Sequence, residues 1–192
     1  MKRKCTFDSH AEWYSKLWHF LWHEDTWLSF LADAALIVLI GYFVLYPGVG
    51  LMLGTEYPAV AVVSDSMDHN DKGFGEWWDS KENHYAAFNI SESDFKEYSF
   101  KNGFNKGDIL VVTGQDEYEV GDVIVYYTPS RQYPIIHRVV AKEGNIYQTL
   151  GDANSGQLSF EKSISIDDIY GRASFKIPYL GWLKVGLVEL FN

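Results

Sequence analysis

The chain has 192 residues, room for one globular domain of ordinary size and an appendage. A net charge of −10 argues against a nucleic-acid partner, because phosphate binding needs a basic face. Aromatic residues make up 17%, an excess that suits a protein with surface at a membrane interface, and the single cysteine, Cys5, excludes an internal disulfide.

In chain order, the first feature is a run of tryptophans, Trp13, Trp18, Trp22 and Trp27, at helical intervals. It reads as an amphipathic helix lying at the membrane surface. His19 and His23 within it are four apart, a spacing metal sites use, but two ligands without a third make no metal site. Residues 28–46 then form an apolar run that nearly matches a hydrocarbon core of roughly 30 Å. It is too long, and starts too late, for a cleaved signal peptide. Pro47-Gly48 is expected to end or kink this helix. Lys2, Arg3, Lys4 and Lys16 precede the run, whereas positions 47–71 hold no Lys or Arg. That asymmetry puts residues 1–27 on the cytoplasmic side, a single spanning helix at 28–47, and residues 48–192 outside the cell membrane.

Beyond the anchor, residues 59–63 (Ala-Val-Ala-Val-Val) read as a buried strand stopping abruptly at Ser64-Asp65-Ser66-Met67. A hydroxyl at the end of a rigid strand is well aimed to be a nucleophile, yet it needs a base and an oxyanion stabiliser; most strands that end in serine simply enter a turn. The polar, aromatic-rich stretch at about 68–106 reads as a flap-like insertion with a short helix near 91–98. Strands are expected at 109–113, 123–127, 135–141, 146–150 and 169–177, separated by Gly-Asp and Gly-Asn turns. This spacing predicts a mainly β domain, a sheet closed or nearly so. The apolar stretch 182–191 is too short to span a bilayer and suits an interfacial dip.

His137 stands in an otherwise apolar strand, and Asp152 follows Gly151 at the end of the next one. A tight hairpin at Glu143-Gly144-Asn145 would make the two cross-strand neighbours, the relation an orienting carboxylate needs with a general-base imidazole. Each taken alone reads equally as a hydrogen-bonded core histidine and a turn aspartate.

Together these residues resemble type I signal peptidases of the archaeal and endoplasmic-reticulum branch. The match comprises Ser64-Asp65-Ser66-Met67, Lys106-Gly107-Asp108-Ile109, Gly121-Asp122-Val123, Pro134-Ile135-Ile136-His137-Arg138, Gly151-Asp152-Ala153-Asn154, Tyr170-Gly171-Arg172 and Pro178-Tyr179-Leu180-Gly181, in family order behind a membrane helix. The resemblance implies a membrane serine endopeptidase that cuts signal peptides from exported preproteins after small residues. Ser66 would be the nucleophile, His137 the general base and Asp152 its acidic partner. Ser64 would join the Ser66 N–H in the oxyanion hole, with Val62 and Val63 along the substrate. Implied partners are preproteins, the lipid bilayer and the secretion channel; no cofactor or metal is implied. The chain departs from the pattern at two places. Asp68-His69 follows Met67 where a proline is common two residues on, and Leu158 stands where relatives carry a second acid. Asp152 then serves alone, or Glu161, Asp167 or Asp168 substitutes. The competing reading is an inactive membrane-anchored binding module of the same fold.

Overall fold

The computed structural model describes residues 13–24, 26–182 and 185–186. Cys5, the basic Lys2, Arg3 and Lys4, and most of the apolar stretch 182–191 lie outside the described residues. The chain divides into two compact units, Met1–Gly48 and Val49–Asn192.

In the first unit, helix α1 (Trp13–His23) buries none of its residues. Thr26 caps the next helix, its hydroxyl accepting from Ser29 N at 3.1 Å. An apolar helix runs over Trp27–Leu53 with a mean hydropathy of 2.3, long enough to cross a membrane. It comprises α2 (Trp27–Ile40), π-helical turns at Gly41–Leu45 and α3 (Tyr46–Leu53). Pro47 therefore does not end the helix. Proline lacks an N–H and its ring crowds the carbonyl one turn back; directly upstream the ladder widens, with Tyr46 N bonding Gly41 O.

The second unit is built on one antiparallel, curled sheet of seven strands in the order β1-β2-β7-β3-β4-β5-β6. The strands are β1 (Ala59–Ala61), β2 (Ile109–Thr113), β3 (Val123–Tyr126), β4 (Ile135–Glu143), β5 (Ile146–Leu150), β6 (Ile164–Ser165) and β7 (Ile169–Ile177). It is a half-barrel, open between its edge strands β1 and β6. Although β1 is short, its pairing continues: Val62 N donates to Asp108 O and Gly107 N to Val62 O, both at 2.9 Å. The Gly-Asp pairs make the turns into strands. Gly107 and Gly121 take φ of 89° and 99°, and the neighbouring carboxylates of Asp108 and Asp122 accept from Asn105 N and Glu119 N, each at 3.0 Å.

The stretch at 68–106 is a packed cover. Helix α4 (Phe74–Ala86) and α5 (Glu92–Glu97) press Trp77, Trp78, Tyr85 and Phe95 against Val140 and Leu150 of the sheet. Ser91 caps α5 in a capping box with Asp94. Ring burial of this size supplies roughly 1.5–3 kcal/mol per side chain, enough to hold the cover down.

Candidate active site

The hairpin between β4 and β5 carries the site, and its register decides which side chains meet. Near the two-residue loop the pairs are Glu143↔Ile146, Lys142↔Tyr147 and Ala141↔Gln148. Continued without interruption, that register would set His137 directly opposite Asp152. A bulge between Val139 and Ala141 shifts it, so that Val139 pairs with Thr149 and Arg138 with Leu150. One extra residue moves every later side chain to the other face of the partner strand. His137 now falls opposite Gly151, and Arg138 shares the face of Leu150 and Asp152.

The contacts follow that parity. Asp152 is fully buried and accepts from Arg138 Nε at 3.0 Å and Nη2 at 2.8 Å, Tyr85 OH at 2.8 Å and His69 Nε2 at 3.1 Å. Arg138 is also fully buried, lies 4.5 Å from the Phe95 ring, and caps the carbonyls of Ser99, Phe100 and Gly121. Burial alone would raise the Asp152 carboxyl, but the Arg138 charge and the bonds from His69 and Arg138 outweigh it and hold the pKa down to about 2. Asp152 therefore binds Arg138 and His69. The expected His137–Asp152 pair is not formed.

His137 meets a different acid. Its Nδ1 lies 2.5 Å from Glu161 Oε1, with the imidazole nearly buried and the carboxyl fully so. Among the described residues neither atom has a hydrogen-bond partner, so each is a buried polar atom facing only the other. Glu161 sits on a 3₁₀ turn, Ser159–Glu161, and its Oε2 accepts from Leu158 N at 2.5 Å.

Ser66 and His137 line the same cleft. One part, about 40 Å³, is walled by Val62, Val63 and Met67 on one side and Ile135 and Ile136 on the other. The wider part, about 380 Å³, extends along Arg131, Asn154, Leu158 and Phe160. Ser64 Oγ and Ser66 Oγ are 3.2 Å apart. The loop after β5 abuts the nucleophile candidate, since Ala153 N donates to Ser66 O at 2.9 Å. Lys81 of α4 in turn holds the Ala153 and Asn154 carbonyls at 2.8 and 2.7 Å. Burial lowers the Lys81 ammonium more than the Asp152 charge raises it. Space here is tight. A Cβ on Gly151 would fall 2.8 Å from both His137 Nε2 and Ser66 O.

His69, three residues past Ser66, is buried, stacked 3.8 Å from Trp77 and turned to Asp152. The turn that carries the chain onward is unusual, with Asn70 and Asp71 both at positive φ. Arg138, Tyr85 and Lys81 were not singled out from sequence. For Arg138 a signal existed, a cation in the middle of a buried strand; for the others none did.

No family model matches the chain. Among characterised proteins it is similar to the signal peptidase complex catalytic subunits SEC11 of Saccharomyces cerevisiae strains YJM789, RM11-1a and JAY291. Each is 32% identical over 103 residues, 47% of this chain and 62% of the relative. Over that stretch the chain is homologous to these signal peptidase catalytic subunits. It spans less than two thirds of the length of the relatives it matches. Of the residues singled out in the sequence, Ser64, Ser66 and His137 line the cleft, while Asp152 is held in the Arg138 pair.

Proposed function

We propose that the protein is a membrane-anchored serine endopeptidase that removes N-terminal signal peptides from exported preproteins. The observation that carries this reading is one cleft lined by both Ser66 and His137, with a side pocket of about 40 Å³. The side pocket is small and apolar, walled by Val62, Met67 and Ile136, which supports a preference for small side chains before the cut. The preprotein lies extended along the free edge of β1, past Val62 and Val63, where backbone groups can add a strand.

His137 Nε2 takes the Ser66 proton as Oγ attacks the scissile carbonyl. The oxyanion receives hydrogen bonds from the Ser64 hydroxyl and the Ser66 N–H. The imidazolium then protonates the departing amine, and a water activated by the same imidazole frees the acyl-enzyme. An imidazole suits this task because it needs little desolvation to act as a base near neutrality. Asp152 supports the cleft indirectly, by neutralising Arg138 beneath the hairpin. The anchor helix crosses the cell membrane once, with the N-terminus cytoplasmic and Val49–Asn192 outside, so the cleft meets preproteins as they leave the secretion channel.

The test is processing of a radiolabelled preprotein by the detergent-solubilised full chain. Ser66→Ala and His137→Ala are each expected to lower kcat by at least about 10³-fold while the protein remains folded. Mature product formed equally by wild type and Ser66→Ala would refute the peptidase and favour the binding module.

A further inference from the structure

We propose that Glu161 is the positioning residue for His137, a role that rests on the serine-peptidase reading of Ser66 and His137. Three observations meet on this carboxyl. First, it is fully buried beside the imidazole, Oε1 2.5 Å from Nδ1, and among the described residues neither atom has a hydrogen-bond partner, so the two are left to satisfy each other. Second, the four donors around Asp152 leave that acid committed on the opposite face of the hairpin. Third, the other oxygen of the carboxyl is already placed, since Oε2 accepts from Leu158 N–H at 2.5 Å.

The 3₁₀ turn explains how Glu161 is held in this place. At about three residues per turn it brings position 161 back alongside position 158, within reach of the Leu158 N–H. With Oε2 tied to Leu158 N–H, Oε1 is left to receive the Nδ1 proton. That fixes the tautomer in which Nε2 is bare and can accept the Ser66 proton.

The same geometry defines the discriminating variant. In Glu161→Gln the Leu158 N–H keeps its acceptor only if the amide oxygen takes the Oε2 place. The NH₂ group then faces Nδ1, makes it an acceptor and drives the proton to Nε2, the wrong tautomer for a base. With the full chain in detergent and a synthetic preprotein, Glu161→Gln is expected to lose 10²- to 10⁴-fold, roughly, in kcat with KM nearly unchanged. Glu161→Asp should recover part of that loss. Proton NMR of histidine-labelled protein should show a downfield Nδ1–H resonance in wild type that is absent from His137→Ala and from Glu161→Gln.

A Glu161→Gln enzyme with near-wild-type kcat, beside inactive Ser66→Ala and His137→Ala, would overturn the Glu161 role and leave the peptidase standing. Activity in Ser66→Ala would instead overturn the peptidase reading. Should Glu161→Gln fail to fold, absence of the Nδ1–H resonance from wild type still refutes the pairing.

Discussion

Among the described residues of the second unit two imidazoles lie beside carboxyls, in different surroundings. His69–Asp152 belongs to a buried ion cluster completed by Arg138, whereas His137, with Glu161 buried behind it, lines the cleft. Removing one partner of a buried ion pair strands the other charge, so Asp152→Asn is expected to cost about 3–5 kcal/mol in denaturant titrations. The pH dependence follows from the same carboxyl. Its folded pKa of about 2 lies below the ordinary 3.8, so its contribution is fully present above about pH 4. That contribution is lost as pH falls toward 2, because protonation is then more favourable in the unfolded chain. The difference corresponds to about 2 kcal/mol, at 1.36 kcal/mol per pKa unit. Unfolding free energies measured at pH 6, 4 and 2 should drop over the last interval, and Asp152→Asn should flatten that drop.

At the scale of elements, the hairpin bulge is decisive. Strand positions were legible because β-branched runs alternate between Gly-Asp and Gly-Asn turns: β2, β5 and β7 fall where the pattern sets them. The register was not legible, since nothing in Arg138-Val139-Val140-Ala141 marks an extra residue. The two-residue β6 is too short to show alternation. Helix α4 was missed although Trp78 and Tyr85, seven apart, are both buried on it; its remaining residues are largely polar. Register also makes Gly151 irreplaceable. Since Ser66 O is backbone and cannot rotate away from an added Cβ, Gly151→Ala must displace the serine from the imidazole. We expect preprotein cleavage to fall about 10²-fold or more, with Tm changed by only a few degrees. Unaltered cleavage by a folded Gly151→Ala protein would contradict this placement of His137 and Ser66.

On the scale of the whole molecule, an apolar helix of 27 residues precedes a sheet unit whose cleft opens near the chain's exit from that helix in sequence. The widened turns before Pro47 let the helix continue to Leu53, several residues past the expected end. Single-pass insertion with the N-terminus inside gives a direct test. Protease added to right-side-out vesicles should trim the full chain to an anchor fragment near residues 1–48, while inverted vesicles should protect the sheet unit. The opposite pattern would reverse the orientation drawn from Lys and Arg asymmetry.

From sequence alone came the apolar anchor, the order of strands and the identity of Ser66 and His137 as the pair to watch. The first two depend on local composition and periodicity, which neighbouring residues carry in full, whereas the pair came from the resemblance of motifs spread along the chain. Tertiary structure alone decided which acid each histidine meets. That choice hangs on a single bulged residue and on a 3₁₀ turn, because strand parity reverses with one insertion and no local pattern records it.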